Sequence, residues 1–168
     1  AATRFAMEGA RVALVARRLD ALEEAKASIL AAAPCAEAFA ISADLATAEG
    51  VETSINDAVG SLGGLDILLN NAGRSSAGPF LRHDDEVWQT DLDLKLFGAI
   101  RTIRLAVPYM QEAGGGRIVN VTAIQGKNTA AGSEPTSVYR ADSLAPTTLL
   151  SKGMAADNIL VHAVSIGL

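Results

Sequence analysis

LDILLNNAG, residues 65 to 73, is the stretch on which the fold turns. Its first half is an apolar run without alternation, the pattern of a strand covered on both faces. Its second half is a turn of amide and small side chains. Working outward, the same grammar repeats. RVALVAR at 11 to 17, EAFAIS at 37 to 42, RIVNVTA at 117 to 123 and ILVHAVSIG at 159 to 167 read as four further strands.

Between the strands lie segments of helical period. Residues 2 to 8 read as the tail of a helix closed by Gly9. Leu22, Ala25, Ile29 and Leu30 set a helix over 20 to 32, with Asp20 as its cap, and a third helix spans 47 to 61 and ends at Gly63 and Gly64. Two longer helical segments follow, from Asp84 to Gln111 and from about 136 to 156, and the latter contains Pro146. A proline there costs roughly 3 kcal/mol in a helix interior, or else the helix breaks near 142 to 146. Strands alternating with helices through short connections predict an α/β fold: a single domain, 1–168, with a Rossmann-like doubly wound parallel sheet in three layers, α/β/α.

Composition narrows the function classes. The 168 residues are 49% hydrophobic and 20% charged, the balance of a globular chain, and the net charge of -5 argues against a nucleic-acid partner. Cys35 is the single cysteine, so no internal disulfide forms, and no His or Cys cluster has metal-ligand spacing. No apolar run reaches the roughly 20 residues that span a bilayer. A cytoplasmic protein without metal or membrane partner is expected.

In a parallel sheet of this kind ligands bind beyond the carboxyl ends of the strands. Those ends carry Arg17-Arg18, Asp44-Leu45, Asn70 through Gly73, and Thr122-Ala123. NNAG after a buried strand, GRIVNVT after the next and the alternating frame together resemble the short-chain dehydrogenase/reductase family over nearly the whole chain. The resemblance implies that Asn70, Ala72 and Gly73 line the adenosine side of a nicotinamide dinucleotide and that Asp44 and Leu45 meet the adenine edge. Asp44 competes with Thr47 for capping the following helix. Arg17, with Arg18, stands where an acidic residue would bind the ribose hydroxyls of NAD(H). Arginine suits a 2′-phosphate, so NADP(H) is expected in preference to NAD(H).

The family's chemistry implies a Tyr that exchanges a proton, a Lys four residues later that lowers its pKa, a Ser that orients the carbonyl and an Asn that holds a water. Two registers compete. If Tyr139 is that Tyr, the Lys position falls on the uncharged Ser143. In an ungapped register Arg140 takes the Lys position, Thr136 the Tyr, Ala123 the Ser and Lys95 the Asn, so all four are changed. Tyr139 then lies three residues on, about 60° short of a full helical rotation.

The expectation is an oxidoreductase interconverting a small-molecule carbonyl and a secondary alcohol. Tyr139 is its proton donor, Thr122 orients the carbonyl, and Arg140 and Lys95 supply positive charge. The alternative is a catalytically silent nucleotide-binding or interaction protein of the same fold, with Tyr139 a packing residue. His83 and His162 read as structural, and Trp88 as helix packing. The resemblance also implies a first strand with a glycine-rich loop before residue 1 and a substrate segment after Leu168. Leu94, Phe97, Ile100, Ile103 and Leu105 make the first long helix apolar around much of its girth, which with the family's habit predicts a homo-oligomer, dimer or tetramer.

Overall fold

In the computed structural model of the chain the described residues are 1–76, 78–126, 128, 132, 134–142 and 144–167. They form two compact units, Ala1–Leu65 and Asp66–Leu168. Strands alternate with helices in both, and every strand pair is parallel, the Rossmann-like α/β pattern that the apolar runs predict.

Unit 1 holds α1 (Ala2–Met7), β1 (Val12–Ala16), α2 (Leu19–Ala32), β2 (Ala38–Ser42) and α3 (Ala48–Leu62). β1 pairs with β2 from Val12↔Ala38 to Ala16↔Ser42, and α2 makes the crossover between them. Ala6, Ile29, Ala33 and Ala38 form a buried apolar core, with Val12, Leu14 and Leu30 packed against it. The apolar stripe of α3 buries Val51, Ile55 and Ala58. Arg11 reaches the far end of α3, donating to the carbonyls of Ser61 and Leu62, the chain's substitute for an intrahelical partner there.

Asp20 is not the cap of α2. The helix begins at Leu19 with Arg18 in the capping position, so Asp20 sits inside the first turn, where its charge still favours the helix N-terminus. At α3 the competition resolves toward Thr47, whose hydroxyl accepts from the Gly50 amide at 3.0 Å. Gly63 ends α3 in the left-handed region, φ 74°.

Unit 2 holds β3 (Ile67–Asn70), α4 (Asp85–Leu92), α5 (Gly98–Glu112), β4 (Gly116–Ala123), α6 (Thr136–Asp142), α7 (Leu144–Gly153) and β5 (Ile159–Ile166). The strand order is β3-β4-β5. A π-helical turn, Asp93–Phe97, joins α4 to α5, so the first long helical segment is one run with a wide turn in its middle. Asp84 caps that run through the Val87 amide. The second long segment is two helices, and Pro146 lies in the first turn of α7, where an absent N–H leaves no intrahelical bond unmade. The interior proline is Pro108, within α5. Before β4 the chain passes Gly115 at φ 149°, where an added Cβ would run into the Asn158 backbone and amide.

Candidate functional site

At the carboxyl ends of β1 and β2 the backbone is tied: Ala43 N–H donates to the Ala16 carbonyl and the Ser42 hydroxyl to that of Arg17, both at 3.0 Å. Arg17 and Arg18 follow with exposed side chains, and Arg18 approaches Asp20 at 3.9 Å. Two guanidinium groups at one strand end have the charge and fork geometry to hold a phosphate. Asp44 is exposed and its carboxylate accepts from the Ala46 amide at 3.0 Å, a turn that leads into the Thr47 cap, while Leu45 is half-buried. Gly50 lies directly under this turn, and any Cβ there would strike the Asp44 carbonyl.

In unit 2 the side chain of Asn70 is engaged in the fold. Its oxygen accepts from the Thr102 hydroxyl at 2.8 Å. Its amide donates at 2.9 Å to Asn120, the register partner on β4, which in turn donates to Thr147 at 3.0 Å. This fixes the strand end from which Asn71, Ala72 and Gly73 emerge. Ala72 and Gly73 are exposed, and a Cβ on Gly73 would meet only the Lys95 side chain, at 3.7 Å.

Lys95, on the π turn, is the centre of the second cluster. Its side chain is 0% exposed and forms an ion pair at 2.5 Å with Asp91, one helical step earlier. The ammonium also donates to the Thr136 hydroxyl at 3.4 Å and lies 5.5 Å from the centre of the Tyr139 ring. The Arg140 guanidinium lies at the same distance from that ring and donates to the Val121 carbonyl at 3.0 Å. Thr122 donates its hydroxyl to the Arg140 carbonyl at 3.2 Å. Lys95, Thr122, Tyr139 and Arg140 therefore fall in one cluster, and Ser143 lies outside the described residues.

Burial sets the electrostatics. Tyr139 is 6% exposed, and loss of water raises its pKa, with Arg140 opposing and Asp91 adding. Burial lowers the Lys95 pKa, and Asp91 pulls it back up. Tyr139, Lys95, Asn70 and Asn120 border a cavity of about 30 Å³ that Ile103 and Leu150 also line, room enough for a water.

Two members of this cluster, Asp91 and Ser76, escape a reading for motifs. Asp91 is 1% exposed, Ser76 donates to it at 2.7 Å, and the Ser76 amide donates to Thr136 at 3.2 Å. The signal for Asp91 was its i,i+4 spacing from Lys95 on a helix.

The sequence profile of the family described as short chain dehydrogenase matches residues 1–168. A Streptomyces violaceoruber protein named as ketoacyl reductase 2 of the granaticin polyketide synthase is 34% identical, over 99% of this chain and 66% of its own length. L-sorbose reductase from Gluconobacter frateurii, solved with NADPH and L-sorbose, superposes with a TM-score of 0.95 at 34% identity, over 99% of this chain and 63% of the reductase. An NAD+-bound xylitol dehydrogenase superposes at 0.93 with 28% identity, over 99% and 64%. The chain thus spans about two thirds of the length of these relatives.

Proposed function

Because the chain belongs to the short-chain dehydrogenase family, we propose that it acts as an NADP(H)-dependent oxidoreductase interconverting a carbonyl and a secondary alcohol. When bound, the dinucleotide supplies or takes up the hydride. Arg17 and Arg18 would hold its 2′-phosphate, Asp44 and Leu45 the adenine edge, and Ala72 and Gly73 the adenosine, their small side chains allowing close approach. Asn70 acts through the backbone that it anchors. The solved neighbours bind NADPH in one case and NAD+ in another, so the preference rests on the two arginines.

The observation that carries the reading is the gathering of Lys95 and Arg140 about Tyr139 beside the Thr136 hydroxyl. Positive charge there favours a developing alkoxide, and Thr122 and Tyr139 are the further candidates for orienting and protonating the carbonyl. The raised pKa of Tyr139 weakens it as an acid and favours a second reading, a nucleotide-binding protein without turnover.

Fluorescence titration with NADPH and NADH, followed by absorbance assays over a carbonyl panel, separates the two. Substrate-dependent NADPH oxidation diminished by Thr122→Val supports the enzyme. Binding without oxidation supports the silent protein. Arg17→Glu should weaken NADPH binding by about tenfold, roughly 1.4 kcal/mol, and spare NADH. Equal weakening of both would refute the phosphate role.

The exposed Phe97, Val138 and Leu149 support a homo-oligomer, which a monomeric mass in light scattering would rule out. The single, exposed, free Cys35 is consistent with a reducing cytoplasm, and among the described residues no helix is long and apolar enough to cross a membrane.

A further inference from the structure

Thr136 is the first residue of α6, and its hydroxyl oxygen receives two hydrogen bonds, from the Ser76 amide at 3.2 Å and from Lys95 Nζ at 3.4 Å. A hydroxyl accepting twice has its own proton left to give, and among the described residues that proton has no acceptor. Thr136 is also only half-buried, while Lys95 behind it is enclosed. Behind Lys95 stands Asp91, which accepts from the Ser76 hydroxyl at 2.7 Å, and Ser76 is half-buried in turn. The groups therefore form a hydrogen-bonded chain that touches the surface region at both ends and passes through a buried ion pair.

We propose that Ser76, Asp91, Lys95 and Thr136 form a proton relay in which Thr136 delivers the proton to the substrate oxygen and Lys95 replaces it. The proposal rests on the oxidoreductase reading above and deepens it by naming the proton path. Hydride and its electron pair come from the reduced nicotinamide dinucleotide, so the chain has only the proton to balance. The Thr136 O–H bond breaks as the new alcohol O–H bond forms. A Lys95 N–H bond breaks as the Thr136 O–H bond is restored. Lys95 is left as a neutral amine and regains a proton from solvent through Ser76 and Asp91.

Thr136 is the catalytic residue of this relay, and Asp91 is a positioning residue that acts through Lys95. The charged and titratable groups facing Lys95 are Asp91 on its own helical run, Tyr139 and Arg140 on α6, and Arg74 after β3. Burial and the two arginines ease proton loss from Lys95, and Asp91 restrains it.

The test uses the intact chain. Lysine side-chain resonances are followed through a pH titration, with Lys95 assigned by its loss in Lys95→Met. Lys95 should titrate below the other lysines, and in Asp91→Asn lower still. Titration together with the other lysines in both proteins overturns the role of Asp91.

In parallel, NADPH binding and carbonyl reduction are measured for Thr136→Val and Thr136→Ser. The valine variant should lose about 100-fold or more in kcat with NADPH affinity unchanged, and the serine variant should stay within about threefold of the parent. A valine variant as fast as the parent overturns the relay alone. A parent that binds NADPH yet reduces nothing overturns the oxidoreductase reading and the relay with it.

Discussion

Thr102, Asn70, Asn120 and Thr147 form a neutral ladder across β3 and β4, whereas Ser76, Asp91, Lys95 and Thr136 form a charged one beside it. In the ladder each amide gives one bond and takes one. In the charged network, among the described residues, Asp91 Oδ2 is buried and has no hydrogen-bond partner, and the Thr136 hydroxyl accepts twice with no acceptor for its own proton. A satisfied network holds a shape. One with buried capacity to spare is the arrangement associated with chemistry, because an unsatisfied buried group raises the energy of the resting state.

The largest test of this contrast is Asp91→Ala. It leaves the Lys95 charge enclosed without its counter-ion and should lower the unfolding free energy by about 3–5 kcal/mol in a denaturant titration. Asn120→Ala removes the centre of the neutral ladder and should cost about 2 kcal/mol by the same measurement, since it strands an amide of Asn70. If Asn120→Ala proved the more damaging, the charged network would be the better solvated of the two and the contrast would reverse. Thr147→Val withdraws a single acceptor from Asn120, for which about 1 kcal/mol is expected.

The smallest effect is a drift with pH. An unfolded tyrosine ionises near 10.0, before the folded Tyr139, whose pKa burial raises. Its contribution is therefore intact below that pH and is lost as the pH climbs toward the folded value. Lys95 runs the other way. Its folded pKa lies below the unfolded 10.5, so between the two the unfolded chain holds more protons and stability rises with pH. Tyr139→Phe should abolish the alkaline fall, and an unchanged pH profile would show that Tyr139 is solvated. The neutral ladder contributes no slope in this range.

The ladder and the charged network were legible in the sequence to different degrees. LDILLNN announced β3 by its apolar run without polar alternation, although the strand is half-buried rather than covered on both faces and Ile67 is exposed, and the strand ends that hold Arg17, Asp44 and Asn70 follow from that rhythm. The pairing of Asn70 with Asn120 depends on the register of two strands 50 residues apart, which no local pattern carries. Lys95, Thr122, Tyr139 and Arg140 were found by resemblance. Asp91 was not, because an acid four residues before a lysine looks the same on a wet helix face as in a core. Pro146, a helix breaker by sequence, sits harmlessly in a first turn, while Pro108 occupies a helix interior.

The π turn at Asp93–Phe97 works as a phase shifter. Its wider loop admits one residue more than an α turn, and each residue advances a helix by about 100°. The extra residue brings Ile103, Ala106 and Met110 of α5 round to the side of the helix that carries Asp91. Deleting any one position in the turn would straighten the helix and aim either the ion pair or the core stripe at solvent. The relay and the core are thus timed by the same single residue, and a one-residue deletion there should abolish cooperative unfolding.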